Sequence, residues 1–177
     1  ESFPADVQVV SDSLRQTQGQ ALAGARIDAL ARAIGVFGFH LASVDMRQVS
    51  DVHEAVIAEL FAAAGIAPDY AALSEQRKLE LLLAELRQPR LLTLPWHEYS
   101  EQTRKELAIF AAARELRKRY GKRIARNYII SHTETLSDLV EVMLLQKESG
   151  MLQGTLGSKT DPARMELMVI PLFETIE

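Results

Sequence analysis

Cysteine is absent from this chain of 177 residues, so a disulfide framework and thiolate chemistry are both excluded. No apolar run approaches the length of a membrane span, and Glu1-Ser2-Phe3-Pro4 lacks the basic-then-apolar order of a secretory signal. A soluble, cytoplasmic protein without a membrane partner is therefore expected. Charge of one sign is also scarce. The net charge of −4 does not supply the basic surface that nucleic-acid binding requires, so no nucleic-acid partner is expected. There is no Gly-x-x-x-x-Gly-Lys-Ser/Thr loop and no Gly-x-Gly-x-x-Gly fingerprint. Gly154 to Lys159 (GTLGSK) imitates a phosphate loop only loosely, since it precedes a strand instead of following one. No repeat of fixed period and no low-complexity tract is present. What the chain does have is 47% apolar residues, enough for the core of one domain.

The chain reads as alternating helices and strands. Val7 to Gly19 and Ala25 to Phe37 are helical, the second with Ile27, Leu30, Ala31 and Ile34 on one face. Phe39 to Met46 is a strand, with His40 a core residue within it. A helix follows from Ser50-Asp51 to Gly65, and Asp51 and Glu54 have capping-box spacing. Ser74 caps a helix whose buried stripe is Leu79, Leu82, Leu83 and Leu86. Pro89 to Tyr99 is a loop. Ser100 opens a long helix that ends near Tyr120-Gly121. Arg126 to Ser131 is a short strand, Leu136 to Glu148 a helix, Gly154 to Pro162 a mobile polar loop, and Leu167 to Phe173 a buried strand. Strands joined by helical crossovers form parallel sheets. The fold class is therefore helix-rich α/β, with about three parallel strands that fit part of a (β/α)₈ barrel. Residues 1–37 would be a helical lead-in, and residues 38–177 three consecutive strand–helix units.

In such sheets the C-terminal ends of strands carry the chemistry. Arg47 lies just past one strand, where its planar guanidinium suits phosphate or carboxylate. An ion pair with Asp45 or a neighbouring helix is the structural alternative. Glu174 lies just past another strand, either as an oxygen ligand for Mg²⁺ or Mn²⁺ or as a helix N-terminal carboxylate facing the macrodipole. Asp45 and Gln48 are expected to orient Arg47, and Ser131 to be a loop hydroxyl. None of His40, His53, His97 and His132 has metal-ligand spacing. The basic run Arg114, Arg117, Lys118, Arg119, Lys122, Arg123 and Arg126 reads as a solvated face at a helix C-terminus.

Three stretches carry a family resemblance. Phe39 to Glu54 (FHLASVDMRQVSDVHE), Asn127 to Val142 (NYIISHTETLSDLVEV) and Val169 to Glu177 (VIPLFETIE) resemble phosphoenolpyruvate carboxylase, in order and at matching separations. The resemblance runs from about Val36 to the end and is weakest before Val36 and in Gly150 to Arg164. It implies an internal piece of a much larger barrel enzyme, a tetramer, which joins bicarbonate to phosphoenolpyruvate to give oxaloacetate and phosphate with Mg²⁺ or Mn²⁺. Arg47 matches the arginine that contacts the substrate phosphate, and Glu174 matches a ligand of the metal. Nothing matches the family's histidine segment (Thr-Ala-His-Pro-Thr-Glu type) or its second metal carboxylate. The chain alone is therefore expected to be inactive and, with open sheet edges, to self-associate. The competing reading is a non-catalytic helical adaptor or regulatory domain. A different Mg²⁺-dependent barrel acting on phosphoenolpyruvate is a third.

Overall fold

Apolar residues at helical spacing and one run of alternating side chains organise the molecule. The computed structural model describes residues 3–38 and 42–174, in two compact units, Glu1–Ser43 and Val44–Glu177. The expected placement of His40 in a core strand lies outside the described residues, as does the start of that strand.

The first unit is helical. It contains α1 (Phe3–Gln16), α2 (Gln20–Leu22), a π-helical turn (Ala23–Ile27) and α3 (Asp28–Phe37). Val7, Ala23 and Ile34 are its buried apolar residues, and Arg15 pairs with Asp28 at 2.7 Å. Leu30, expected on the buried stripe, is exposed.

The second unit holds a three-stranded parallel sheet in the order β1-β2-β5, from β1 (Val44–Val49), β2 (Ala125–Ser131) and β5 (Met168–Pro171). Its helices are α4 (Ser50–Ala63), α5 (Glu75–Leu86), α6 (Glu101–Tyr120) and α7 (Leu136–Glu148). The first strand runs past its expected end at Met46, so that Arg47 lies within it and not just beyond it, and its paired residues are the mixed Val-Asp-Met-Arg-Gln-Val. The last is an edge strand, half-exposed rather than buried, with Met168 open to solvent.

Alternation divides the sheet into two faces. Met46, Tyr128, Ile130 and Val169 join one core with Val56 and Leu60 of α4, Leu82 and Leu86 of α5, Phe110 and Ala113 of α6, and Val142 and Leu145 of α7. Phe110 stacks on the Tyr128 ring at 4.9 Å between centroids. Burying these side chains contributes roughly 1.5–3 kcal/mol each for the larger aliphatic and aromatic ones. The opposite face carries Asp45, Arg47, Asn127, Ile129 and Met168, none of them in that core.

Local signals set several boundaries. The Ser100 hydroxyl accepts from the Thr103 N–H at the start of α6. Asp138 accepts from the N–H groups of Glu134 and Thr135 at the start of α7. Ser74 precedes α5 as expected, but its hydroxyl makes no cap bond. The box expected of Asp51 and Glu54 does not form. The helix starts at Ser50 with Val49 at the N-cap, two residues early for that spacing, and Glu54 instead pairs with Lys78 at 2.5 Å.

Residues 154–162 form a loop as expected, and the basic run departs from its expected form. Residues 154–162 lie within a small hairpin between β3 (Leu152–Gln153) and β4 (Arg164–Met165), with Thr155 bridged to Pro162. Gly154 has φ +75°, and any Cβ there would collide with the Pro162 carbonyl, so only glycine fits that turn. The basic run is not uniformly solvated. Arg117 is buried, donating to the carbonyls of Lys122 and Ala125 and to Glu166. With Arg114, Lys118 and Lys122 it lines a cavity of about 210 Å³.

Two titratable groups in the core make stability depend on pH in opposite senses. Burial, with Asp138 and Glu54 nearby, pushes Glu141 up from 4.5 to about 8, against its bond from the Tyr70 hydroxyl. Its other carboxylate oxygen has no partner among the described residues, which disfavours the ionised form. Burial lowers His53 from 6.5 to about 4, leaving a neutral ring against the Tyr128 hydroxyl at 2.8 Å. Glu141 stabilises fully below pH 4.5 and loses that contribution as pH rises toward 8, whereas His53 loses its contribution as pH falls from 6.5 to 4. Between 4.5 and 6.5 the two slopes oppose one another. Above 6.5 the Glu141 slope stands alone, at about 1.4 kcal/mol per pH unit. Urea unfolding from pH 6.5 to 8 should therefore show falling stability in the parent and no such fall in Glu141→Gln. Parallel pH profiles for the two proteins would remove Glu141 as the source.

Candidate functional site

The parallel register aligns three strand ends. Arg47 pairs with Ile129, and Ile129 with Ile170, so one row runs across all three strands. Side chains two residues apart share a face, which places Arg47 of β1 and Ser131 of β2 on the same side, at the carboxyl end. The chain beyond β5 brings Glu174 to this end.

These three side chains meet. The Arg47 Nε–H donates to the Ser131 hydroxyl at 2.6 Å, and Nη2 pairs with Glu174 Oε1 at 3.2 Å. Both anticipated site residues, Arg47 and Glu174, are thus in direct contact across 127 positions of sequence. The partner that secures the guanidinium is Ser131, the last residue of β2 rather than a loop hydroxyl. Ser131 takes Nε, and Glu174 takes Nη2, the nitrogen common to both hydrogen-bonding edges of the guanidinium. Nη1 has no partner among the described residues, and the Arg47 side chain is 59% exposed. Among the described residues, Nη1 is the nitrogen open to an anion from solvent.

Asp45 and Gln48 bond elsewhere. Asp45 accepts from the Asn127 amide at 2.9 Å on the open face. Gln48 points to the helix face, donating to Glu106 of α6 at 2.6 Å and accepting from the Val49 N–H at 3.0 Å. Neither bonds to Arg47. They hold β1 against β2 and α6, so any effect on Arg47 passes through the strand.

The loops after the strands are tied together. Ser50, the first residue of α4, donates to the His132 carbonyl at 2.7 Å. The Thr133 N–H donates to the Leu172 carbonyl at 3.1 Å. His132 has φ +57°, the only positive φ among the described non-glycine residues, a conformation uncommon for a side chain with a Cβ. It turns the chain directly after Ser131. Sequence patterning missed Ser131 and His132. The Asn-x-Ile-x-Ser alternation of β2 already places Asn127, Ile129 and Ser131 on one face, and that was the available signal.

The alternative reading of Glu174, as a helix N-terminal carboxylate, falls on residues 175–177 and lies outside the described residues. Glu174 offers a hard oxygen donor of the type Mg²⁺ and Mn²⁺ favour. No group of three or more His, Asp or Glu able to hold a metal forms among the described residues. The donor chemistry fits such an ion with Glu174 as a single protein ligand.

The exposure of both partners, 59% and 42%, makes the Arg47–Glu174 pair a weak contributor to stability. Glu174→Gln should therefore shift the unfolding free energy by no more than about 1 kcal/mol, read from a urea melt. A substantially larger loss would show that the carboxylate is structural.

Comparison with known proteins bears on this strand-end cluster. The family model described as phosphoenolpyruvate carboxylase matches residues 1–177. The phosphoenolpyruvate carboxylase of Ralstonia nicotianae is 67% identical over 178 residues, covering 100% of this chain and 18% of the relative. That of Burkholderia vietnamiensis is 58% identical over 176 residues, and that of Paraburkholderia xenovorans 59% over 174, covering 99% and 98% of this chain and again 18% of each relative. The chain thus spans about a fifth of the length of these relatives, and with the family model matching it from end to end it belongs to the phosphoenolpyruvate carboxylase family.

Proposed function

We propose that this chain forms part of the active site of a full-length enzyme that carboxylates phosphoenolpyruvate with bicarbonate, giving oxaloacetate and phosphate. The observation that carries this reading is the meeting of Arg47, Ser131 and Glu174 at the carboxyl ends of adjacent parallel strands. The names of the relatives supply the substrate. The carbon–carbon bond forms between the methylene carbon of phosphoenolpyruvate and the carbon of bicarbonate, while the P–O bond to the enol oxygen and one C–O bond of bicarbonate break, that oxygen leaving with the phosphoryl group as inorganic phosphate. Such an enzyme acts in the cytoplasm, and an oligomer of identical chains is its expected state.

We also read the sheet as a segment of a (β/α)₈ barrel. Its strand order follows the sequence without reversal, and α4, α6 and α7 share one core with one sheet face. A doubly wound sheet places helices on both faces. Here the open face, with Arg47, Asn127 and Ile129, corresponds to a barrel interior.

In this reading Arg47 binds the phosphoryl group through its terminal nitrogens, with Glu174 giving way at Nη2. The planar, permanently charged guanidinium matches two phosphate oxygens at once and stabilises negative charge as it shifts onto the phosphoryl group. Glu174 has two functions. It neutralises Arg47 while the fork is empty, and it serves as one oxygen ligand of a divalent cation. When bound, Mg²⁺ or Mn²⁺ supplies a hard Lewis acid for developing oxygen charge. The remaining ligands and proton-transfer groups come from outside the described residues.

Arg47→Lys in the full-length enzyme tests the phosphate assignment. Lysine keeps the charge but loses the fork, so kcat/KM for phosphoenolpyruvate should fall by roughly 30- to 1,000-fold, equivalent to about 2–4 kcal/mol. A coupled assay with malate dehydrogenase measures it, and parent-like kinetics would make Arg47 structural. For the metal, Glu174→Gln should raise the Mg²⁺ concentration at half-maximal activity, with high Mg²⁺ restoring part of the rate. An unchanged titration midpoint would remove Glu174 from the metal site.

A further inference from the structure

We propose that Ser131 is a positioning residue for Arg47, setting which edge of the guanidinium is presented to the substrate phosphate. This rests on the phosphate-binding reading of Arg47 and extends it to a second strand.

The geometry points to a specific division of the cation. A guanidinium offers a side edge, Nε–H with Nη2–H, and an end edge formed by its two terminal nitrogens. Ser131 accepts from Nε at 2.6 Å, and Glu174 pairs with Nη2 at 3.2 Å. Ser131 thus fixes the side edge at Nε, whereas Nη2 belongs to both edges, so the end edge is presented to phosphate with Nη1 leading. Nη1, on that edge, has no partner among the described residues. Glu174 is the looser anchor by comparison, 42% exposed on the segment after β5. Ser131 is buried and sits within the β2 ladder, its Cα paired with Val49. The hydroxyl is thus the fixed reference, and the carboxylate the partner that can exchange.

Two features make that reference rigid. His132, immediately after it, is held in the left-handed region with its carbonyl bonded by Ser50. Thr133 is bonded to the Leu172 carbonyl. The backbone on the carboxyl side of Ser131 is therefore tied to the ends of both β1 and β5. Arginine has several rotatable bonds and loses considerable side-chain entropy on being ordered. A single short bond at Nε restricts that freedom before substrate arrives, so less of the binding free energy goes into ordering. Without the hydroxyl, Nε–H would have to find water or substrate, and side-on and end-on presentation would compete.

A double-mutant cycle in the full-length enzyme tests this. Ser131→Ala should lower kcat/KM for phosphoenolpyruvate by roughly 10- to 100-fold, the range for losing a hydrogen bond to a charged group. Most of the loss should appear in KM, with inorganic phosphate weakened in parallel as a competitive inhibitor. Ser131→Thr keeps the hydroxyl and should stay much closer to the parent, whatever its extra methyl does to the melting temperature. In the Arg47→Lys background, which has no Nε fork to orient, Ser131→Ala should cost little more. An equal Ser131→Ala loss in both backgrounds, or none in the parent, would overturn the positioning role while leaving Arg47 as the phosphate ligand. If Arg47→Lys itself has no effect, the phosphate reading fails first, and the role of Ser131 with it.

Discussion

Parallel pairing of β2 with both of its neighbours is the constraint on which the rest of the structure depends. It sets Arg47, Ile129 and Ile170 in one row and sends alternate side chains of all three strands to opposite faces. A slip of one residue between β1 and β2 would turn Arg47 toward α6 and send Gln48 to the open face. The helices guard against that slip. Met46 of β1 packs against the core that buries Tyr128 and Ile130 with α4, α6 and α7, and the slip would carry it to the open face. Core packing thereby determines which side of the sheet carries the cation.

Polar groups on the buried side reinforce the same register. Gln48 reaches Glu106 on α6, and His53 on α4 reaches the Tyr128 hydroxyl. Burial and the neighbouring Glu106 keep the Tyr128 phenol firmly protonated. Such bonds add modest net stability, but a mismatched partner would leave a buried polar group unsatisfied. They specify one arrangement more than they strengthen it. Glu141 is different in kind, a buried acid that holds its proton at neutral pH and bonds to Tyr70.

The two faces divide the work of the sheet. One is dry and committed to helices. The other presents Asp45 with Asn127 low on the strands and Arg47 with Ser131 and Glu174 at their carboxyl ends. Backbone bonds between the loops, from Ser50 to His132 and from Thr133 to Leu172, give those ends a common frame. A site assembled from three separate segments needs such stitching, because small errors in the position of a charged group weaken the contacts it makes.

Local chemistry made much of this legible in the sequence. The helix Leu136–Glu148 has the bounds its periodicity indicated, Ser100 precedes the long helix with its hydroxyl in place, and β2 emerges from Asn-Tyr-Ile-Ile-Ser as a buried strand. Arg47 and Glu174 stood out because each puts a charge directly against an apolar run, where desolvation is costly unless a partner or ligand offsets it. What stayed hidden was partnership. That Ser131 holds Arg47, that Gln48 faces α6, and that residues 152–165 fold as a hairpin all depend on residues distant in the chain or on a turn only glycine can make. The end of β1 was misplaced for the same reason, since Arg47-Gln48-Val49 continues the strand by pairing with β2 and not by its own composition. Periodicity within a segment determines which elements form. Register between segments, decided by burial of the shared core, determines which side chains meet.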